Sequence, residues 1–247
     1  MKKLIILLTT LLFVSFYPGN FKDEQRRYSR VRTAYSEKEA GIKKLLQINS
    51  IQIENLRIYM RVFKYEKELE LWAKNKDDTS FKLLKTYDIC RTCGALGPKR
   101  QQGDRQIPEG FYHIDAFNPA SSYYLSMRIN YPNKSDKILG VSSNLGGNIC
   151  IHGACVTIGC LPITDEQIKE LYIFCVESKD KGQENIPVTV YPARLTDTNY
   201  GNLTTKYASE LDKVNLWTDL KVAYDDYIMT KRLPTITFLD NGRHAIN

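Results

Sequence analysis

Val31, Tyr35, Ile42, Leu45 and Leu46 recur at three- and four-residue spacing among many charges, which predicts an amphipathic N-terminal helix over residues 23–50. From Asn55 the period changes. Leu56-Arg57-Ile58-Tyr59-Met60-Arg61-Val62-Phe63 and Glu68-Leu69-Glu70-Leu71-Trp72-Ala73 are β-rich runs on either side of the charged Lys64-Tyr65-Glu66-Lys67, and predict a hairpin. Runs at 81–89, 110–114 and 123–129 continue the sheet, Ile149-Cys150-Ile151 adds a short strand, and 187–192 a last one. Residues 94–108, rich in Gly, Pro, Lys, Arg and Gln, read as a loop of the kind that rims sites. Thr164 with Gln167 three residues on marks a helix start with Thr164 as its N-cap. Beyond Leu195, polar turns alternate with one helix around 216–231. The pattern predicts a mainly β chain with flanking helices, of the α+β class.

The first residues carry a different signal. Met1-Lys2-Lys3 followed by the apolar run 4–16 matches a secretory signal over residues 1–17 and is short for a membrane span. The expectation is an exported, periplasmic or extracytoplasmic protein. The following Ser15-Phe16-Tyr17-Pro18 lacks a clean small-x-small cleavage pattern, so contact with the membrane through a retained signal stays open. The net charge of +7, or +5 without Lys2 and Lys3, suits approach to an anionic envelope polymer and equally suits solubility. Export and the lack of a recognisable binding module argue against a nucleic-acid partner.

Six cysteines, at 90, 93, 150, 155, 160 and 175, are too few for a disulfide scaffold, although an oxidising compartment permits one or two bridges of unreadable pairing. Cys90-Arg91-Thr92-Cys93 has redox-motif spacing but follows a β-run instead of opening a helix, so a bridge or two free thiols is the simpler reading. A zinc site from Cys90, Cys93, Cys155 and a histidine lacks a second CxxC or a spaced His pair. No cofactor and no metal are expected.

One segment stands apart: Ile151-His152-Gly153-Ala154-Cys155-Val156-Thr157-Ile158-Gly159-Cys160-Leu161-Pro162. A thiol needs a nearby base to become a thiolate at neutral pH, and an imidazole can both take its proton and stabilise the anion. Gly153 and Gly159 permit unusual dihedrals and close backbone approach, which suits a loop aiming N–H groups at an oxyanion. Taken alone the pair is weak, because most single histidines and buried cysteines are structural.

Resemblance strengthens it. His152-Gly153 followed by Thr157-Ile158-Gly159-Cys160 resembles the signature of the YkuD-type L,D-transpeptidase catalytic domain family, in its compact YafK-like form. Leu96-Gly97-Pro98-Lys99, Gln102-Gly103-Asp104, Ile107-Pro108-Glu109-Gly110-Phe111-Tyr112, Asn118-Pro119-Ala120-Ser121-Ser122 and Asn130-Tyr131-Pro132-Asn133 are similar to that branch in the same order, over residues 28–192. The resemblance implies an L,D-transpeptidase-type β-sandwich or flattened barrel over 55–192, with a partly helical C-terminal extension over 193–247. It implies Cys160 as nucleophile, His152 as base, and the Gly153 carbonyl as the group orienting the imidazole. The Gly159 and Cys160 N–H groups would form the oxyanion hole, and Thr157 would shape the loop.

Two departures bear on the reaction. The wider family commonly has His before its Gly-Cys, where Ile158 stands, and Arg shortly after the Cys, where Leu161-Pro162 stand. The implied chemistry is a cysteine acyltransferase acting on diamino-acid-containing peptidoglycan stem peptides through a thioester. The resemblance leaves open an amidase that releases a lipoprotein from peptidoglycan. A non-catalytic wall-binding protein and a thiol oxidoreductase built on Cys90 and Cys93 are the readings from other classes.

Overall fold

The computed structural model describes residues 20–247; the expected signal at 1–17 lies outside the described residues. The N-terminal helical stretch is two helices, α1 (Phe21–Arg26) and α2 (Ser29–Ile48), because Tyr28 is extended and opens the second as its N-cap. Then come β1 (Leu56–Phe63), β2 (Glu68–Asn75), β3 (Lys82–Asp88), β4 (Gly110–Asn118), β5 (Ser126–Ile129) and α3 (Lys134–Leu139). After them lie β6 (Cys150–His152), β7 (Leu161–Pro162), α4 (Asp165–Asp180), β8 (Ile186–Tyr191), α5 (Asp197–Lys206), α6 (Leu211–Thr230), β9 (Ile236–Phe238) and β10 (His244–Ile246).

β1 to β8 form one sheet in the order β3-β2-β1-β8-β4-β5-β6-β7. β1 with β8 and β6 with β7 pair parallel, the other neighbours antiparallel. The sheet curls into a half-barrel with flanking helices, in keeping with the expected L,D-transpeptidase-type fold. Its two edges meet at a seam: just past β3, the Cys90 N–H donates to Pro162 O of β7 at 3.1 Å. A disulfide between Cys90 and Cys155, Cα atoms 5.5 Å apart, staples the same seam.

Strand periodicity decides what each face holds. In β1, Ile58, Met60 and Val62 point into the main core, while Tyr59, Arg61 and Phe63 point to the opposite face, and all six are buried. The main core is filled by α4, whose Ile168, Leu171, Tyr172, Phe174 and Cys175 lie against the inner face, with α2 packed behind through Val31, Tyr35, Ile42 and Leu46. α4 starts as expected, with a capping box between Thr164 and Gln167. On the outer face Phe63, Phe111 and Tyr191 pack against Leu216, Trp217, Leu220 and Tyr224 of α6. Arg61, 1% exposed, sits among the rings of Phe63, Tyr191, Tyr224 and Tyr227 at 4.8–5.3 Å, with Glu70 at 3.6 Å. A buried cation needs such partners, here quadrupole faces and one carboxylate.

The C-terminal extension is therefore a packed layer. Trp217 Nε1 donates to Glu109 at 2.7 Å, at the foot of β4. His244 is buried in β10 with Nδ1 3.1 Å from Asp219 Oδ2, and Arg243 holds the same carboxylate. The loop 94–108 is likewise tied down: Lys64 Nζ donates to the carbonyls of Ala95, Gly97 and Ile107 at 2.8–3.1 Å and pairs with Glu109 at 2.8 Å.

The disulfide closes a loop across 65 residues of sequence, so its removal frees much chain entropy in the unfolded state. Replacing Cys90 and Cys155 together by Ser is expected to lower unfolding free energy by about 4 kcal/mol. Chemical denaturation followed by fluorescence reads this directly, and an unchanged midpoint would show that the bridge adds nothing.

Candidate active site

The site is built on the outer face of β5 and β6, the part of the sheet that α6 leaves uncovered. Alternation along β6 sends Ile151 into the core and turns Cys150 and His152 outward. The cross-strand register sets Ser126 beside His152 and Arg128 beside Cys150, while Asn118 and Ala116 of β4 pair with Ser126 and Arg128. On the other side, Ile151 pairs with Leu161 and His152 with Pro162, so Cys160, one residue before β7, falls beside Cys150.

His152, 1% exposed, leaves its strand with the imidazole already oriented: Nδ1 is 2.5 Å from Gly153 O. A carbonyl oxygen can only accept, so Nδ1 carries the proton and Nε2 is the free base. The ring of Tyr123 lies over the imidazole, centroids 4.6 Å apart at 31°. Gly153 is required by close approach, since a Cβ there would meet Asp165 Oδ1 at 2.4 Å and Tyr123 O at 3.0 Å. Its N–H donates to the carbonyls of Tyr123 and Leu125. The next two residues, Ala154 (φ 63°) and Cys155 (φ 31°), are left-handed without being glycine, an arrangement costing about 1–3 kcal/mol per residue. Asp165, at the start of α4, accepts the Ala154 N–H at 2.8 Å, and the bridge to Cys90 holds Cys155.

Thr157 stitches the far side of the loop. Its hydroxyl donates to Cys160 O at 2.8 Å and accepts the Gly159 N–H at 3.0 Å. The Gly159 N–H, expected to face an oxyanion, is held inside the loop by the Thr157 hydroxyl in this structure. Gly159 (φ 147°) passes Gln106 O so closely that a Cβ would lie 3.2 Å from it. The 94–108 loop thus buttresses the site from behind, and none of it lines the pocket.

Cys160 Sγ accepts the Cys150 N–H at 3.4 Å and lies 3.6 Å from Asn148 O. Its thiol is pulled down from the ordinary cysteine range to about 5. The largest cause is the neighbouring Cys150 thiol donating to it; burial opposes this, and hydrogen bonding and charge from His152 lower it further. The pocket in front holds about 390 Å³ and is lined by Cys160, His152, Cys150, Asn148, Tyr123 and Arg128, among others. Arg128, paired with Asp115 at 2.8 Å, is its cation. Arg128 and Asn148 also line a neighbouring cleft of about 1120 Å³, together with Pro234, Ile236 and Phe238 of the C-terminal extension.

The structure brings Cys160, His152, Gly153, Gly159 and Thr157 together. Sequence reasoning missed Arg128, Asn148 and Cys150. Strand alternation could have put Cys150 on the face of His152, whereas Arg128 needs the register of β5 against β6. Leu161, in the position where an arginine was noted to be missing, is fully buried, and Ile158 is 78% exposed. Among the described residues, no group of three or more His, Cys, Asp or Glu is placed to hold a metal ion.

A half-barrel with a cysteine, an oriented histidine and a glycine-bounded loop on one open face defines a class. The family described as the L,D-transpeptidase catalytic domain (YkuD) matches residues 59–190, and this chain belongs to it. It is 36% identical over 198 residues to YafK of Escherichia coli strain K12, covering 79% of this chain and 76% of that protein. Among solved structures it is similar to the helical cell shape determining protein Pgp2 from Campylobacter jejuni: 18% identity, TM-score 0.44, 75% of this chain and 74% of that one. It is also similar to Mycobacterium tuberculosis L,D-transpeptidase 1: 14% identity, TM-score 0.30, 55% of this chain and 62% of that one.

Alkylation of Cys160 by iodoacetamide follows its thiolate. The rate is expected to stay near its plateau from pH 8 down to pH 6 and to fall as pH drops through about 5. A half-maximal rate near the ordinary thiol value of about 8.5 would show an unassisted cysteine. Peptide mapping of the alkylated chain separates Cys160 from the other thiols.

Proposed function

We propose that this chain is a peptidoglycan-modifying cysteine acyltransferase working outside the cytoplasm on diamino-acid-containing stem peptides. The observation that carries the reading is the one pocket that Cys160 shares with the buried imidazole of His152, whose tautomer the Gly153 carbonyl fixes. Family membership supplies the substrate class.

The Cys160 thiolate attacks the carbonyl of the diamino acid. The Cys160 N–H faces the oxyanion that forms. The imidazolium of His152, made by taking the thiol proton, returns that proton to the leaving amine, and a thioester remains. Arg128 stands where it can hold a substrate carboxylate, a role the residue after the nucleophile cannot take because Leu161 is in the core. The cleft of about 1120 Å³ that shares Arg128 and Asn148 with the Cys160 pocket is the place proposed for the acceptor.

The second nucleophile decides the product. An acceptor amine gives a cross-link or an attached envelope protein, and water gives hydrolysis, including release of a peptidoglycan-linked lipoprotein. The exposed apolar Ile158, standing where a donor is common, favours keeping the hydrolytic reading.

Incubation with disaccharide tetrapeptide, and separately with lipoprotein-bearing peptidoglycan, followed by mass spectrometry, separates the outcomes. Cross-linked dimer with released D-alanine means transfer, freed lipoprotein means hydrolysis, and no product from folded protein refutes the proposal. Cys160→Ala is expected to abolish every product. His152→Ala is expected to lower kcat by about 100- to 10,000-fold, the ordinary contribution of a general acid–base. Arg128→Ala is expected to raise KM about tenfold with a smaller change in kcat, as loss of one charged hydrogen bond predicts. An unchanged KM would remove Arg128 from substrate binding.

A further inference from the structure

Cys150 is a free thiol that forms and breaks no bond in the proposed acyl transfer, although its hydrogen bond is the largest cause of the lowered Cys160 thiol. It lies immediately beside the nucleophile. The parallel register of β6 against β7 continues one step back from Ile151 and Leu161 to Cys150 and Cys160. Neighbouring strands are about 4.8 Å apart, inside the Cα separation of about 4.4–6.8 Å that a disulfide spans. Register partners point to the same face of a sheet, and both sulfurs reach one atom: Cys150 Sγ lies 3.4 Å and Cys160 Sγ 3.6 Å from Asn148 O.

We propose that Cys150 is a resolving thiol, so that oxidation of Cys160 by a hydroperoxide closes a reversible Cys150–Cys160 disulfide that shelters the nucleophile and silences the enzyme. The inference rests on the reading of Cys160 as the reactive thiolate. In the first step the Cys160 thiolate attacks the hydroperoxide. An S–O bond forms as the O–O bond breaks, the sulfur loses two electrons to the peroxide, and the departing alkoxide or hydroxide takes a proton from water. In the second step Cys150 sulfur attacks the sulfenic sulfur; its proton leaves with the sulfenic hydroxyl as water, and the S–S bond forms. A dithiol reductant reopens the bridge, supplying two electrons and two protons and itself becoming a disulfide.

The local electrostatics keep the two roles apart. While Cys160 is a thiolate, its acceptance of the Cys150 hydrogen bond and its charge, together with burial, push the Cys150 thiol well up, so Cys150 does not compete as nucleophile. Conversion of Cys160 to a neutral sulfenic acid removes that anionic acceptor, and Cys150 ionises more readily at the moment it is needed. The other free thiols are placed less well. Cys93 Sγ meets the Thr157 hydroxyl at 3.8 Å, and Cys175 is fully buried within α4. Cys155, the remaining cysteine of the loop, is already bridged to Cys90.

The test uses the full chain and hydrogen peroxide. After near-equimolar treatment, thiols are blocked, the protein is denatured, and peptides cut between residues 150 and 160 are mapped without reduction. The expected product joins Cys150 to Cys160, with activity lost in step and restored by dithiothreitol. In Cys150→Ser the fraction of activity that dithiothreitol cannot restore is expected to rise at least about fivefold, because the sulfenic acid then proceeds to sulfinic acid. Pairing of Cys160 with Cys93, sulfinic Cys160 beside a free Cys150 in the unaltered chain, or full recovery in Cys150→Ser overturns the proposal. The peptide map needs no substrate: a bridge in a chain without turnover refutes the acyltransferase reading alone, and turnover without a bridge refutes this one alone.

Discussion

The hydrogen bond between His152 Nδ1 and the carbonyl of the very next residue is the constraint on which the site depends. The proposed role of His152, taking a thiol proton at Nε2, requires one tautomer and one orientation, and the backbone of Gly153 supports both. The turn that brings the carbonyl round leaves no space for a side chain at Gly153 and drives Ala154 and Cys155 into left-handed conformations. Two ties hold that strained loop. Asp165 fastens it to the start of α4, and the Cys90–Cys155 bridge fastens it to the far edge of the sheet. The disulfide that closes the half-barrel is thus the same one that steadies the loop between His152 and Cys160.

The sheet gives its two faces different work through the two-residue period of its strands. The inner face is filled by α4 and carries most of the main core. The outer face is covered over β1, β8 and β4 by the C-terminal layer, and bare over β5 and β6, where Arg128, Cys150 and His152 project. The C-terminal extension lines the cleft that neighbours the Cys160 pocket. Its anchors, Trp217 on Glu109 and the Asp219–Arg243–His244 cluster, are buried polar contacts, which fix the position of a layer more tightly than apolar packing alone.

Much of this was legible in the sequence because the signals were periodic or covalent-chemical. The β1–β2 hairpin, the strands at 110 and 150, and the Thr164 cap follow from alternation and capping, and the segment from His152 to Cys160 followed from glycine placement and resemblance. What escaped lacked such a pattern. α5 has only Tyr200 and Leu203 to set against the outer core, too few to show a helical period; α3 is six residues long; β9 and β10 are three residues each, too short for alternation to show. The pairing of Cys90 with Cys155, and of Arg128 with Cys150 across strands, depends on how the sheet curls and registers, which no local window contains. The hydrogen bond from the Gly159 N–H to the Thr157 hydroxyl two residues earlier is a matter of loop geometry that the residue types alone do not reveal.

The account stands or falls on a covalent bond between Cys160 and a stem peptide. Rapid mixing with disaccharide tetrapeptide, acid quench and intact-protein mass spectrometry is the most direct measurement. An adduct of the muropeptide less D-alanine, localised to Cys160, labile to hydroxylamine and absent from Cys160→Ala, is the predicted result. A muropeptide adduct on another residue, or turnover with none at Cys160 at any quench time, contradicts it.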